Sequence, residues 1–145
     1  MVQDLTGLFT KSDNDTAVRL PKETSAKFTL KIDDLAIAYL SCTEGLWIFK
    51  YSEEFNNQEH TYRYISGFPD LEKTYTSTVL WPFFRIRIPG LGQPAIQEIL
   101  EKENIDKTNE AALLWRFGYR TIANPYVLIA HPEALRYAPS NFIFL

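Results

Sequence analysis

The clearest pattern in the chain is an alternation of apolar and polar positions over residues 27–32. Phe28, Leu30 and Ile32 would lie on one face of a strand, with lysines and a threonine on the other. Because successive side chains of a strand point to opposite faces, this pattern predicts a half-buried β-strand. A second and more continuously apolar strand is predicted over residues 35–40.

Further strands extend this pattern toward the middle of the chain. A run of turn-forming residues ends at Gly45, and strand character resumes over residues 46–51, where aromatic residues occupy alternate positions. A short fourth strand is predicted over residues 61–65. Strands joined by short turns pair antiparallel, so we expect a meander.

The second half of the chain carries the helical signals. Pro94 is a residue type favoured in the first turn of a helix, and apolar residues recur after it at helical spacing. A second helix is predicted from about Asn109 to Gly118, where a terminal glycine cap belongs. Residues 126–130 are predicted as a last strand. Strands, two short helices and a final strand in this order are typical of an α+β domain.

With 145 residues the chain is long enough for one domain. We expect an irregular N-terminal arm over residues 1–26, the domain itself over residues 27–130, and an irregular tail over residues 131–145. Aromatic residues make up 14% of the chain, which predicts a substantial core and also a surface suited to protein contacts.

Charge and cysteine content restrict the classes of partner. The formal net charge of −3 argues against a nucleic-acid partner, and Arg85 and Arg87 are the nearest approach to a basic cluster. The apolar stretches fall far short of the ~20 residues that span a bilayer, and the first residues do not resemble a signal peptide. Cys42, the only cysteine, permits no intramolecular disulfide. We therefore expect a cytoplasmic protein without a membrane partner.

The residues that carry catalytic or metal chemistry are scattered in the sequence. His60 and His131 lie in polar or turn-like stretches with no recognisable nucleophile motif beside them, and both are interpreted as solvated loop histidines. Cys42 and the two histidines lack the paired spacing of metal ligands. Metal is therefore not expected.

Two other motifs are also interpreted as structural. Residues 90–92 precede a predicted helix as a phosphate-binding loop would, but the following lysine and hydroxyl residue are missing, which favours a simple turn. The adjacent carboxylates at 33–34 and 53–54 would point apart. The sequence thus predicts no cofactor and no enzyme.

Two segments resemble the N-terminal subdomain of the HipA-type toxin kinases. Residues 45–55, GLWIFKYSEEF, are similar to a strand of that family, and residues 81–90, WPFFRIRIPG, to its proline- and phenylalanine-containing segment before a helix. Residues 105–118 are similar to the short helix and glycine that close the subdomain. The resemblance covers residues 28–130. The chain departs from the family in lacking an acidic residue after Pro89 and a glycine near Ala38.

The resemblance implies a partner and a role. A HipA-type kinase continues into a much longer catalytic core, whereas a separate copy of the subdomain resembles the small HipS-type antitoxin of three-component toxin–antitoxin systems. This implies binding and inhibition of a separate HipT- or HipA-like serine/threonine kinase, with a helix-turn-helix HipB-like protein in the same complex. The alternative is an accessory subunit that completes the kinase fold or presents its substrate.

Trp81 is the leading candidate for partner contact, because the following proline favours an extended backbone and a projecting tryptophan is a typical interface anchor. The alternative is that Trp81 packs in the core. Strand-like alternation would place Arg85 and Arg87 together on one face. The expected partner-binding set is Trp81, Pro82, Phe83, Phe84, Arg85, Arg87 and Pro89.

The expected mechanism is occlusion, in which an aromatic or apolar residue enters or braces the nucleotide cleft of the kinase. Replacing Trp81 by Ala is then expected to weaken binding by about 2 kcal/mol or more while the fold is retained. Unchanged inhibition of the kinase by a folded Trp81→Ala protein would contradict this site, though not partner binding itself.

Overall fold

The computed structural model describes residues 25–57 and 63–134, which form an antiparallel sheet with short helices and loops packed on one face. The strands are β1 (Ser25–Ile32), β2 (Leu35–Thr43), β3 (Leu46–Tyr51), β4 (Tyr75–Ser77) and β5 (Val127–Ala130). The helices are α1 (Glu53–Asn57), α2 (Pro82–Arg85), α3 (Pro94–Lys102) and α4 (Glu110–Phe117), followed by a 3-10 turn (Pro132–Ala134). The spatial order of the strands is β4-β3-β2-β1-β5, and the predicted α+β class is confirmed.

The first three strands form the predicted meander. Tight turns join them, and Asp33 and Glu44 in these turns have positive φ angles of 52° and 51°. Such left-handed residues match the twist of antiparallel strands better than ordinary turns do. The pairing shifts between Leu30 and Lys31 of β1, which leaves Ile37 of β2 as an inserted residue.

The covered face of the sheet carries an aromatic core around Phe49. Its ring stacks on that of Phe68 with centroids 3.8 Å apart and planes inclined by 19°. Four more rings lie within 6.4 Å of the Phe49 centroid, those of Tyr51, Tyr75, Trp81 and Phe84. Aromatic pairs in such geometries contribute about 0.5–1.5 kcal/mol each beyond the burial of their area.

Both predicted helices are confirmed. α3 begins at Pro94, and α4 is capped by Asn109, whose side-chain oxygen accepts a hydrogen bond from the Ala112 amide at 3.1 Å. This bond satisfies one of the amides that the first turn of a helix leaves without a partner. Gly118 directly follows α4, as the sequence predicts.

The predicted fourth strand at residues 61–65 is wrong for its described part. Residues 63–65 are not a strand, and Tyr75–Ser77 pairs with β3 instead. The Ile65 amide donates a hydrogen bond to the Tyr51 hydroxyl at 2.8 Å. This amide is therefore not available for pairing with a neighbouring strand. His60 and most of the predicted arm and tail lie outside the described residues, and β1 begins at Ser25, two residues before the predicted boundary.

Gly118→Ala is expected to destabilise the fold by about 1–3 kcal/mol. A Cβ atom at this position would lie 2.4 Å from the Leu114 carbonyl oxygen, and that oxygen is fixed by the helix backbone. Urea unfolding measures the loss. Gly92→Ala is the matched control, since nothing lies within 4 Å of its Cβ position. Equal stability of the two variants would contradict this account of Gly118.

Candidate functional site

An apolar cleft of about 360 Å³ opens beside the aromatic core. It is lined by Ser66, Gly67, Phe68, Trp81, Pro82, Phe83 and Ile86. One wall is the loop before β4 and the other is α2 with its flanking residues. The polar side-chain groups among the lining residues are the Ser66 hydroxyl and the Trp81 indole N–H. The rest of the lining is apolar, so the cleft suits an apolar group.

The loop wall is held by the hydroxyl of Tyr51, at the end of β3. This hydroxyl donates to the Phe68 carbonyl oxygen at 2.6 Å and accepts from the Ile65 amide at 2.8 Å. Burial raises the pKa of the Tyr51 phenol well above its ordinary value, so the hydroxyl remains a donor. Gly67, at the tip of this loop, has a φ angle of +95° that a side chain would strain.

The second wall is a single helical turn, which corrects the expected strand-like alternation. The amides of Phe84 and Arg85 both donate to the Trp81 carbonyl oxygen, at 3.0 and 2.9 Å. Pro82 is the first residue of the turn, where its fixed φ and missing amide are favourable. In a helical turn, residues three apart share a face, so Phe83 and Ile86 both reach the cleft.

Trp81 packs against the core, which is the alternative that the sequence left open, and its contact with a partner stays a prediction. It is half-buried, with its ring 5.1 Å from that of Phe68 and 6.4 Å from that of Phe49 in edge-to-face contacts. It also lines the cleft. Trp81 therefore braces the cleft from the core instead of projecting freely from the surface.

Arg87 is buried, which is contrary to its predicted place beside Arg85 on a surface. Its side chain donates to the Gly118 carbonyl at 3.0 Å, the Asn124 side-chain oxygen at 3.1 Å and the Tyr126 carbonyl at 3.0 Å. No carboxylate of residues 25–57 or 63–134 pairs with it. Burial lowers the pKa of Arg87 to about 10, so the side chain remains charged at neutral pH. Arg87 joins the cleft segment to the connection between α4 and β5.

The other predicted contact residues divide between surface and core. Arg85 is 47% exposed and its Nε lies 3.4 Å from a carboxylate oxygen of Glu110. Phe84 is fully buried, and Pro89 is half-buried away from the cleft lining. The structure thus brings together Trp81, Pro82 and Phe83. Sequence reasoning missed Ile86, which helical spacing from Phe83 would have identified.

A second polar cluster corrects the expectation that no nucleophile lies near His131. Its Nε2 is 2.8 Å from the Thr29 hydroxyl, and its Nδ1 is 3.5 Å from a Glu133 carboxylate oxygen. A hydroxyl, an imidazole and a carboxylate are the groups of a nucleophilic triad. The Glu133 side chain is 76% exposed and its contact with the imidazole is long, so Glu133 does not fix the orientation of the imidazole as a triad carboxylate does. We interpret the cluster as a tie between β1 and the residue after β5.

The remaining reactive groups are buried or dispersed. Burial raises the pKa of the Cys42 thiol to about 12, so it is protonated at neutral pH. Among the described residues, no three histidine, cysteine or acidic side chains lie close enough together to hold a metal ion. No helix in the same part of the chain is both long and apolar enough to cross a membrane.

Comparison with protein families identifies the family of this chain's central segment. The family model described as the HipA N-terminal domain matches residues 29–123, which is about two thirds of the chain. The matched segment runs from β1 past α4, so it includes every residue that lines the cleft as well as Arg87. A search of curated proteins returned no match.

Arg87→Ala is expected to lower the free energy of unfolding by about 3 kcal/mol, because it leaves buried carbonyls without donors. Arg85→Ala is the matched control, and the loss of its ion pair with Glu110 is expected to cost about 1 kcal/mol, because the Arg85 side chain is 47% exposed. Chemical denaturation of both variants measures the difference. If Arg87→Ala were as stable as Arg85→Ala, Arg87 would not be a structural link.

Proposed function

The chain belongs to the HipA N-terminal domain family, and we propose that it binds a separate HipA- or HipT-like serine/threonine kinase as an inhibitory antitoxin. The family provides the toxin–antitoxin context. The observation that carries the proposal is the apolar cleft, which lies within the matched segment. The proposal also includes a helix-turn-helix HipB-like protein in the same complex. It further includes a cytoplasmic location.

The lining of the cleft favours a protein partner over a small polar ligand. Ligand pockets combine apolar walls with a few well-placed polar side chains that orient the ligand. Here the lining contains no ionisable side chain, and its polar side-chain groups are the Ser66 hydroxyl and the Trp81 indole N–H. Pro82 and Ile86 expose apolar surface at the rim. Exposed apolar side chains around a concave site are typical of a protein interface.

The position of Trp81 favours one form of inhibition. Because its ring is packed against Phe68 and Phe49, the cleft is suited to receive an apolar side chain of the kinase. A kinase segment held in this way would be withdrawn from the arrangement that phosphoryl transfer requires. Inhibition then needs no catalytic group on this chain.

One observation favours the alternative of an assisting subunit. The exposed rim of Pro82 and Ile86 is also the kind of surface that would complete the fold of a larger kinase. Both roles require a complex, and they differ in the sign of the effect on the kinase.

Ile86→Ser is expected to weaken binding to the HipA- or HipT-like kinase partner by about tenfold or more, because Ile86 lines the cleft. Val79→Ser is the matched control, since Val79 is 49% exposed, Ile86 is 52% exposed, and Val79 is not part of the lining. Isothermal titration calorimetry measures both affinities, and thermal melting checks that both variants are folded. Equal affinities would remove the cleft as the docking site.

ATP turnover by the kinase is expected to fall when this protein is added, and to recover when Ile86→Ser replaces it. The decrease should saturate at the stoichiometry of the complex. An increase in turnover would instead establish the assisting subunit, and turnover by this protein alone would exclude the proposal.

A further inference from the structure

The connection between α4 and β5 lies in a stretch of the sequence without acidic residues. From Ala111 to Pro132 the sequence contains no aspartate or glutamate, although acidic residues outnumber basic residues by 18 to 15 in the whole chain. Arg116 is neutralised by Glu103, whose carboxylate oxygen lies 2.7 Å from its Nε. Arg120 is exposed and has no ion pair within the described residues.

The same connection exposes large apolar side chains. Ile122 is 107% exposed and Tyr119 is 55% exposed. The guanidinium of Arg120 lies 5.2 Å from the centroid of the Tyr119 ring, so the cation and the two apolar side chains occupy one short turn. We call residues 119–124 the tip. An isoleucine fully in water buries no apolar area within the described fold.

Hydrogen bonds connect the tip to the buried Arg87 and to β5. Arg87 donates to the Asn124 side-chain oxygen at 3.1 Å, and the same oxygen accepts from the Tyr126 amide at 3.1 Å. The Leu128 amide donates to the Tyr119 carbonyl at 2.9 Å, and Thr121 and Asn124 form a β-bridge across the turn. A side chain presented on a fixed backbone loses less conformational entropy on binding than one on a mobile loop.

The base of the tip adjoins the wall of the cleft. The Phe83 ring, which lines the cleft, lies 6.0 Å from the Tyr126 ring and 5.8 Å from the Arg87 guanidinium. Asn124 of the tip accepts a hydrogen bond from this guanidinium, so Arg87 links the tip to the wall of the cleft. A kinase surface that extended from the cleft past Phe83 would meet the base of the tip. The two surfaces have different chemistry, since the cleft is apolar and the tip combines apolar side chains with a positive charge.

We propose that the tip is a second docking element for the same kinase, with Ile122 and Tyr119 entering an apolar pocket and Arg120 meeting a carboxylate at its rim. This inference rests on the proposed function and adds the chemistry of a second contact. The charge of Arg120 favours an acidic protein surface over a nucleic acid, because one exposed cation supplies little phosphate neutralisation. The small apolar area of Ile122 and Tyr119 favours a protein over a bilayer, since stable membrane anchoring takes more apolar area than two side chains provide.

The test uses the full chain and the HipA- or HipT-like kinase partner of the proposed function. Arg120→Glu is expected to weaken binding about tenfold or more at low salt, with a smaller effect at 0.5 M NaCl, because a rim charge is screened. Ile122→Ser is expected to weaken binding about tenfold at both salt concentrations. Lys107→Glu, an exposed site with the same change of charge, and Val79→Ser are the controls and should retain wild-type affinity.

The outcomes separate the two proposals. Unchanged affinity of both tip variants, with Ile86→Ser still weakened, would overturn the tip and leave the cleft in place. Absence of any binding by the wild-type chain would overturn the proposed function and the tip with it. Two further results would overturn the tip as a kinase contact: self-association of the wild-type chain that Ile122→Ser abolishes, or cosedimentation with anionic phosphatidylserine vesicles that Ile122→Ser abolishes.

Discussion

The stacking of Phe68 on Phe49 is the interaction on which the rest of this structure depends. Phe49 belongs to a central strand, and Phe68 belongs to a loop without regular structure. Their contact at 3.8 Å, with the double hydrogen bond of the Tyr51 hydroxyl, fixes that loop on the sheet. Trp81 then packs on both rings, and the cleft is the space left between the fixed loop and the helical turn.

Elements that repeat a local pattern could be predicted from the sequence. β1 to β3 alternate or are continuously apolar, and α3 and α4 carry proline, asparagine and glycine signals at their ends. β4 and α2 could not be predicted, because elements of three and four residues are determined by their neighbours. β4 is a strand because it pairs with β3, and the hydrogen bond to Tyr51 gives residues 63–65 another role.

The candidate site was predicted in outline and not in detail. The segment from Trp81 to Phe83 does line the cleft, but the environments of Phe84 and Arg87 depend on residues far away in the sequence. The acceptors of Arg87 lie between 31 and 39 positions further along the chain. The periodicity of residues 81–90 does not indicate these distant acceptors. The strand-like alternation was also wrong for this segment, because Pro82 begins a helical turn.

The buried guanidinium of Arg87 limits how the cleft can be transplanted. A peptide copied from residues 66–86 would contain every lining side chain. It would lack β3, on which Phe68 and Trp81 pack, and the Gly118 and Tyr126 carbonyls that hold the adjacent Arg87. Grafting this surface onto another scaffold therefore requires the sheet, α4 and the following turn as one unit. The smallest fragment expected to keep the cleft intact is therefore close to the whole matched domain.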